Sequence, residues 1–196
     1  PQVYYTSSRP SNSRINVQDR EGRLNLSAAF EESVVVTSQR NFTDVPRTVI
    51  EFDTGGRWTG LGRPPADAAW GIAFGCSQPA IMPRSPSFRG VVLGFHPSGD
   101  FTVYDDAQQV YRGTGGYAGG IPQDRSFHVR IEFEAGADYG GKATPIRFFI
   151  DGQLISIRND ATRDYVKWPG LFGNYVHLFA LEPTHAADGS LNATFD

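Results

Sequence analysis

Between Phe127 and Ile155 the chain reads FHVRIEFEAGADYGGKATPIRFFIDGQLI. Phe127, Val129, Ile131 and Phe133 alternate with His128, Arg130, Glu132 and Glu134. Successive side chains of a strand point to opposite faces, so this alternation predicts one buried and one wet face. A Gly-rich stretch follows, and then Ile146, Phe148 and Ile150 are set against Arg147, Phe149 and Asp151. Asp151-Gly152 is a tight-turn dipeptide, and Leu154-Ile155 restart the apolar pattern. The segment therefore predicts strand, loop, strand, turn, strand.

The same pattern recurs along the chain. RLNLSAA at Arg23–Ala29, the Val34-Val35-Val36 run, TVIEFD at Thr48–Asp53 and WGIAF at Trp70–Phe74 are candidate strands. So are Gly90–His96, FTVYD at Phe101–Asp105, YVHLFAL at Tyr175–Leu181 and the start of one at Asn192. No segment of ten or more residues has helical period. About eleven strands separated by turn signals predict an all-β fold, a two-sheet antiparallel β-sandwich or jelly roll. Gly 22 and Pro 13 fit many turns. Residues 1–22 are polar and aperiodic and read as an extended lead-in, leaving 23–196 as a single sandwich domain. Gly55–Ala68, with Trp58, residues 77–89 and Gly113–Gly120, with Tyr117, read as loops.

Composition removes some partners. Net charge is −3 with no basic tract, which argues against nucleic acid. No apolar run approaches spanning length, so no membrane insertion is expected. Cys76 is the single cysteine, so an intrachain disulfide is excluded, and its place at the end of an apolar run predicts a small buried residue. The four histidines have no zinc spacing. Sequons start at Asn25, Asn41 and Asn192. The chain begins at Pro1, without a signal peptide, as expected of a processed secreted protein or a piece of a larger one. An extracellular or cell-surface location is the expectation.

RGVVLGFHPSGDFTVYDD, FHVRIEFE, IRFFIDGQLI and YVHLFAL, in that order, resemble the concanavalin A-like lectin/glucanase superfamily, which includes laminin-G-like modules. The resemblance covers roughly residues 23–196 and implies a jelly roll with a glycan-binding groove. It departs from the laminarinase-like hydrolases, whose strand carries Glu-x-Asp-x-Glu. Glu51 and Asp53 supply the first two acids here, but Gly55 replaces the third. A retaining glycosidase needs two carboxyls about 5 Å apart, so the resemblance does not imply that activity. The lyase signatures of the superfamily are not matched either.

Alternation nominates the groove residues. Acids prefer water, so Glu51 and Asp53 are expected to face out. On YVHLFAL, Val176, Leu178 and Ala180 are expected in the core, with Tyr175, His177 and Phe179 on the other face. With His128, Arg130, Arg147 and Phe149 they would give a mixed aromatic and charged surface. Trp58, Tyr111, Tyr117 and Trp168, in or beside glycine-rich stretches, are candidate stacking platforms for sugars. The expected ligand set is thus Glu51, Asp53, Trp58, Tyr117, Arg130, Trp168, Tyr175 and His177, binding an oligo- or polysaccharide without catalysis. The alternative is a polysaccharide lyase with Tyr175 and His177 as a base and acid pair and Arg147 or Arg130 neutralising a uronate. A further alternative is a protein-interaction or viral attachment module. No cofactor is expected, with a structural Ca²⁺ at Asp105 and Asp106 as the alternative.

Overall fold

The computed structural model describes residues 2–7, 14–18, 23–29, 32–39, 47–79, 85–105, 108–133, 144–157, 166–168, 173–181 and 189–196. Fifteen strands lie among them: β1 (Gln2–Ser7), β2 (Arg14–Gln18), β3 (Arg23–Ala29), β4 (Glu32–Gln39), β5 (Thr48–Gly60), β6 (Ala69–Cys76), β7 (Val91–Phe95), β8 (Phe101–Asp105), β9 (Gln108–Gly113), β10 (Phe127–Phe133), β11 (Thr144–Ile150), β12 (Gln153–Leu154), β13 (Val166–Trp168), β14 (Tyr175–Leu181) and β15 (Gly189–Phe195). The first sheet has the order β1-β4-β14-β6-β7-β8-β9. The second has the order β12-β11-β10-β5-β15-β3-β2, with β13 also on β11. The two-sheet antiparallel sandwich is as the sequence predicts. Residues 2–7 and 14–18 pair with β4 and β3, so the stretch read as a lead-in gives each sheet an edge strand.

Between the sheets lies one apolar core. β10 shows its origin: Phe127, Val129, Ile131 and Phe133 are buried, while His128 is exposed. Phe74 of the first sheet stacks on Phe133 of the second, with centroids 5.3 Å apart. Phe95 meets Phe127 edge-on at 5.0 Å. Such pairs add about 0.5–1.5 kcal/mol beyond their area.

β5 runs on to Gly60, through residues the sequence suggested were loop. The glycines misled there. A Cβ on Gly56 would run into the Trp70 ring. Gly56 is a strand residue whose missing side chain makes room for a fully buried indole. Asp151 and Gly152 take φ of 49° and 77°, as a type I′ hairpin between β11 and β12 requires.

The two outer faces differ. On the first sheet Val35, Ala73, Val92, Phe179 and Leu181 form a second apolar cluster with Phe88, which comes from the segment after β6. Phe88 is fully buried, so this segment roofs that face. On the second sheet the outer face stays wet: Glu51, Asp53, His128 and Arg147 are all exposed.

Candidate functional site

β5 and β10 build the polar face of the second sheet by register. Arg130 stands opposite Glu51 and His128 opposite Asp53. Arg130 Nη1 donates to Glu51 Oε1 at 2.7 Å. Its Nε donates to Glu132 Oε1 at 2.8 Å. His128 Nδ1 donates to Asp53 Oδ1 at 2.8 Å, and its Nε2 lies 3.8 Å from Glu51 Oε1. Arg47 Nη2, just before β5, donates to Glu132 Oε2 at 2.9 Å. Cross-strand neighbours sit about 5 Å apart, which is why alternating acids and bases interlock here.

The ladder continues into the β11–β12 turn. Asp151 Oδ1 accepts the His128 amide at 2.9 Å. Its Oδ2 accepts Arg125 Nη2 at 2.7 Å and the Tyr117 hydroxyl at 2.8 Å. Partial burial alone would push the Asp151 carboxyl up. Arg125, the His128 amide and Tyr117 together outweigh it and hold the group below the usual aspartate range. Glu132 is also held low, chiefly by its bonds to Arg130 and then to Arg47. Both remain ionised at neutral pH. At the far end, Arg47, Glu132, Phe133 and Arg147 line a shallow hollow of about 190 Å³.

The structure divides the expected ligand set. Glu51, Asp53 and Arg130 lie side by side, and Tyr117 joins them through Asp151. Tyr175 and His177 belong to β14 of the other sheet. His177, expected on an open groove, is fully buried, and its Nδ1 shares a 2.8 Å hydrogen bond with Thr37 Oγ1. Phe179, expected beside it on that open face, is buried under the Phe88 roof. Val176, Leu178 and Ala180 do point to the inter-sheet core, so the face assignment on β14 stands while its exposure does not. Burial pushes the His177 pKa down to about 4, against a smaller opposing effect of the Gln78 main chain. Its Nε2 is buried with no hydrogen-bond partner among the described residues.

Trp58 is an inward residue of β5, packed on the core and pressed against Gly60 and Gly189, and is no exposed platform. Trp168 lies in β13, and nothing beyond its pairing with Thr144 is described. Asp105 ends β8, and Asp106 lies outside the described residues. No cluster of three or more metal-ligating side chains occurs among the described residues. Cys76 is buried, which pushes its thiol far up and makes it a poor nucleophile. No helix among the described residues is long and apolar enough to cross a membrane. Arg47, Arg125 and Glu132, which tie the ladder together, were not among the sequence candidates. Their partners lie up to 85 residues away, and only strand pairing brings them together.

No protein-family model and no curated protein sequence matches the chain. Solved structures do match. The endo-β-1,4-glucuronan lyase of the fungus Trichoderma reesei aligns at TM-score 0.54 and 7% identity, over 98% of this chain and 87% of that one. The alginate lyase vAL-1 from Chlorella virus aligns at 0.52 and 11%, over 94% and 87%. The Emp47p carbohydrate recognition domain aligns at 0.50 and 15%, over 96% and 90%. The chain also spans 41% of a longer protein, a botulinum neurotoxin type C structure, at 0.49. The class of fold is thereby defined: a two-sheet antiparallel jelly roll like those of the two lyases and the carbohydrate recognition domain. At these identities the likeness is one of fold.

Proposed function

We propose that the chain is a non-catalytic glycan-binding domain whose ligand lies across the outer face of the second sheet. One observation carries this reading: one outer face is roofed by the Phe88 segment, while the other is open and carries interlocked acids and bases. Glu51 and Asp53 keep side-chain exposures of 46% and 54%, enough to offer carboxylate oxygens to sugar hydroxyls. The carbohydrate recognition domain among the solved structures supports the same class of ligand. The reading puts the protein outside the cell or at its surface.

A glycan array followed by titration calorimetry tests it. Glu51→Gln and Asp53→Asn together are expected to weaken binding about tenfold or more, since hydrogen bonds to charged groups are worth about 1.5–3 kcal/mol. An array on which the folded protein binds nothing sinks the reading. Tyr117→Ala checks the loop. Tyr117 ties to Asp151, so its loss should loosen the turn and weaken binding by about 1 kcal/mol.

A second reading, a polysaccharide lyase, has two supports: the two lyases of like fold, and His177. With a pKa near 4 that imidazole is neutral at pH 7, as a base must be. Its burial and its bond to Thr37 weigh against it. Near-ultraviolet absorbance of unsaturated product from polyuronates decides: growth that is lost in His177→Gln supports the lyase, and a flat trace rejects it.

A further inference from the structure

The hollow lined by Arg47, Glu132, Phe133 and Arg147 has an unbalanced wall. Both oxygens of Glu132 are taken, Oε2 by Arg47 at 2.9 Å and Oε1 by Arg130 at 2.7 Å. Arg130 in turn reaches Glu51 at 2.7 Å. Arg147 stands opposite Glu132 in the β10–β11 register and is exposed. Yet no ion pair or hydrogen bond holds its guanidinium among the described residues. One fork of N–H donors is therefore left facing the hollow, beside Arg47. A planar guanidinium matches the two oxygens of a carboxylate or a sulfate in bidentate fashion. Two residues along β11, on the same face, Phe149 is half-buried and pairs with the exposed Leu154 of β12. That offers an apolar step on which the CH face of a pyranose can rest.

We propose that this hollow is an anion subsite that takes the carboxylate of a uronic acid, or a sulfate ester, from an acidic glycan. Arg147 is its main contact and Arg47 its second. The proposal rests on the glycan-binding reading and names the class of glycan. At about 190 Å³ the hollow is smaller than the roughly 300–1,000 Å³ of a site that encloses a drug-sized ligand. It therefore fits one charged substituent of a longer ligand, with the rest running over the ladder. The net charge of −3 does not forbid a polyanion. Charges are screened over about 8 Å at physiological salt, so the local excess of arginine governs the last step of binding.

The test is calorimetry with polyglucuronate, dextran sulfate and a panel of neutral glucans, on the wild type, Arg147→Gln, Arg147→Lys and Glu51→Gln. Far-ultraviolet circular dichroism checks each fold. The expected result is binding of an acidic polymer that weakens with salt, falls about tenfold or more in Arg147→Gln and is partly kept in Arg147→Lys. Polyglucuronate against dextran sulfate tells carboxylate from sulfate. If Arg147→Gln binds the acidic polymers as well as the wild type does, the subsite is overturned. If neutral glucans bind, depend on Glu51 and ignore Arg147, the subsite falls while the glycan-binding reading stands. Binding of no polymer overturns both.

Discussion

Truncating Trp70 to alanine is expected to lower the free energy of unfolding by about 4 kcal/mol. The indole is fully buried in β6, in the middle of the first sheet, and its ring centroid lies 5.9 Å from that of Phe95. Across the core it fills the space that Gly56 of β5 leaves empty. Removing it loses the transfer energy of the ring and opens a cavity, which together cost about 3–5 kcal/mol for Trp or Phe to Ala. The strands around the cavity are fixed by ladder hydrogen bonds and cannot close on it. Trp70 Nε1 has no hydrogen-bond partner among the described residues, so truncation breaks no hydrogen bond and the relief of this buried donor offsets part of the cavity cost. Urea unfolding of the variant measures this, and a loss under about 1 kcal/mol would contradict the packing described. The pair also predicts a coupling. Gly56→Val drives a side chain into the ring and should cost about 1–3 kcal/mol by itself, but much less in the Trp70→Ala background.

Acidification gives the second large effect, in two windows. His177 has a folded pKa near 4 and an unfolded value near 6.5. Between these values the unfolded chain binds the proton first, so stability falls as pH drops from about 6.5 to about 4. The full loss is about 3 kcal/mol, at 1.36 kcal/mol per pKa unit. Asp151 and Glu132 act lower. Their folded values are depressed, so their contribution is complete above the ordinary carboxylate range and is lost as pH falls through the folded values. Both are partly solvated, and their share is the smaller one. Urea midpoints at pH 7, 5.5, 4 and 3 separate the windows. His177→Gln is expected to flatten the curve between pH 7 and 4 while keeping the fall below 4. A variant that keeps the full slope above pH 4 would show that His177 is not the responsive group.

What the sequence shows and hides follows from burial. β10 was legible because one of its faces is core and the other is water, so residue type alternates with position. β14 was half legible. Its inter-sheet face is apolar as expected, but the other face is covered as well, by a segment more than eighty residues earlier in the chain. Nothing local in YVHLFAL announces that Phe88 will lie over it, so His177 looked like a surface histidine. β1 and β2 are edge strands held by main-chain pairing, which leaves little trace in side-chain pattern. β5 was cut short because Gly55-Gly56 reads as a turn when the partner that needs the space, Trp70, is unknown. The site was legible one strand at a time. Glu51 and Asp53 were outward on one and Arg130 on another, while their adjacency awaited the register between β5 and β10.

The strand order bears on how such a chain is made. β14 lies between β4 and β6, and β15 lies between β5 and β3. An interior position of each sheet is thus filled by a strand that is made after both of its neighbours. Until Gly189–Phe195 arrives, β3 and β5 have no partner for their facing edges, and β4 and β6 wait for Tyr175–Leu181. Neither sheet can close until these two strands have been made. During translation, the hazard is that another chain's strand fills the gap first.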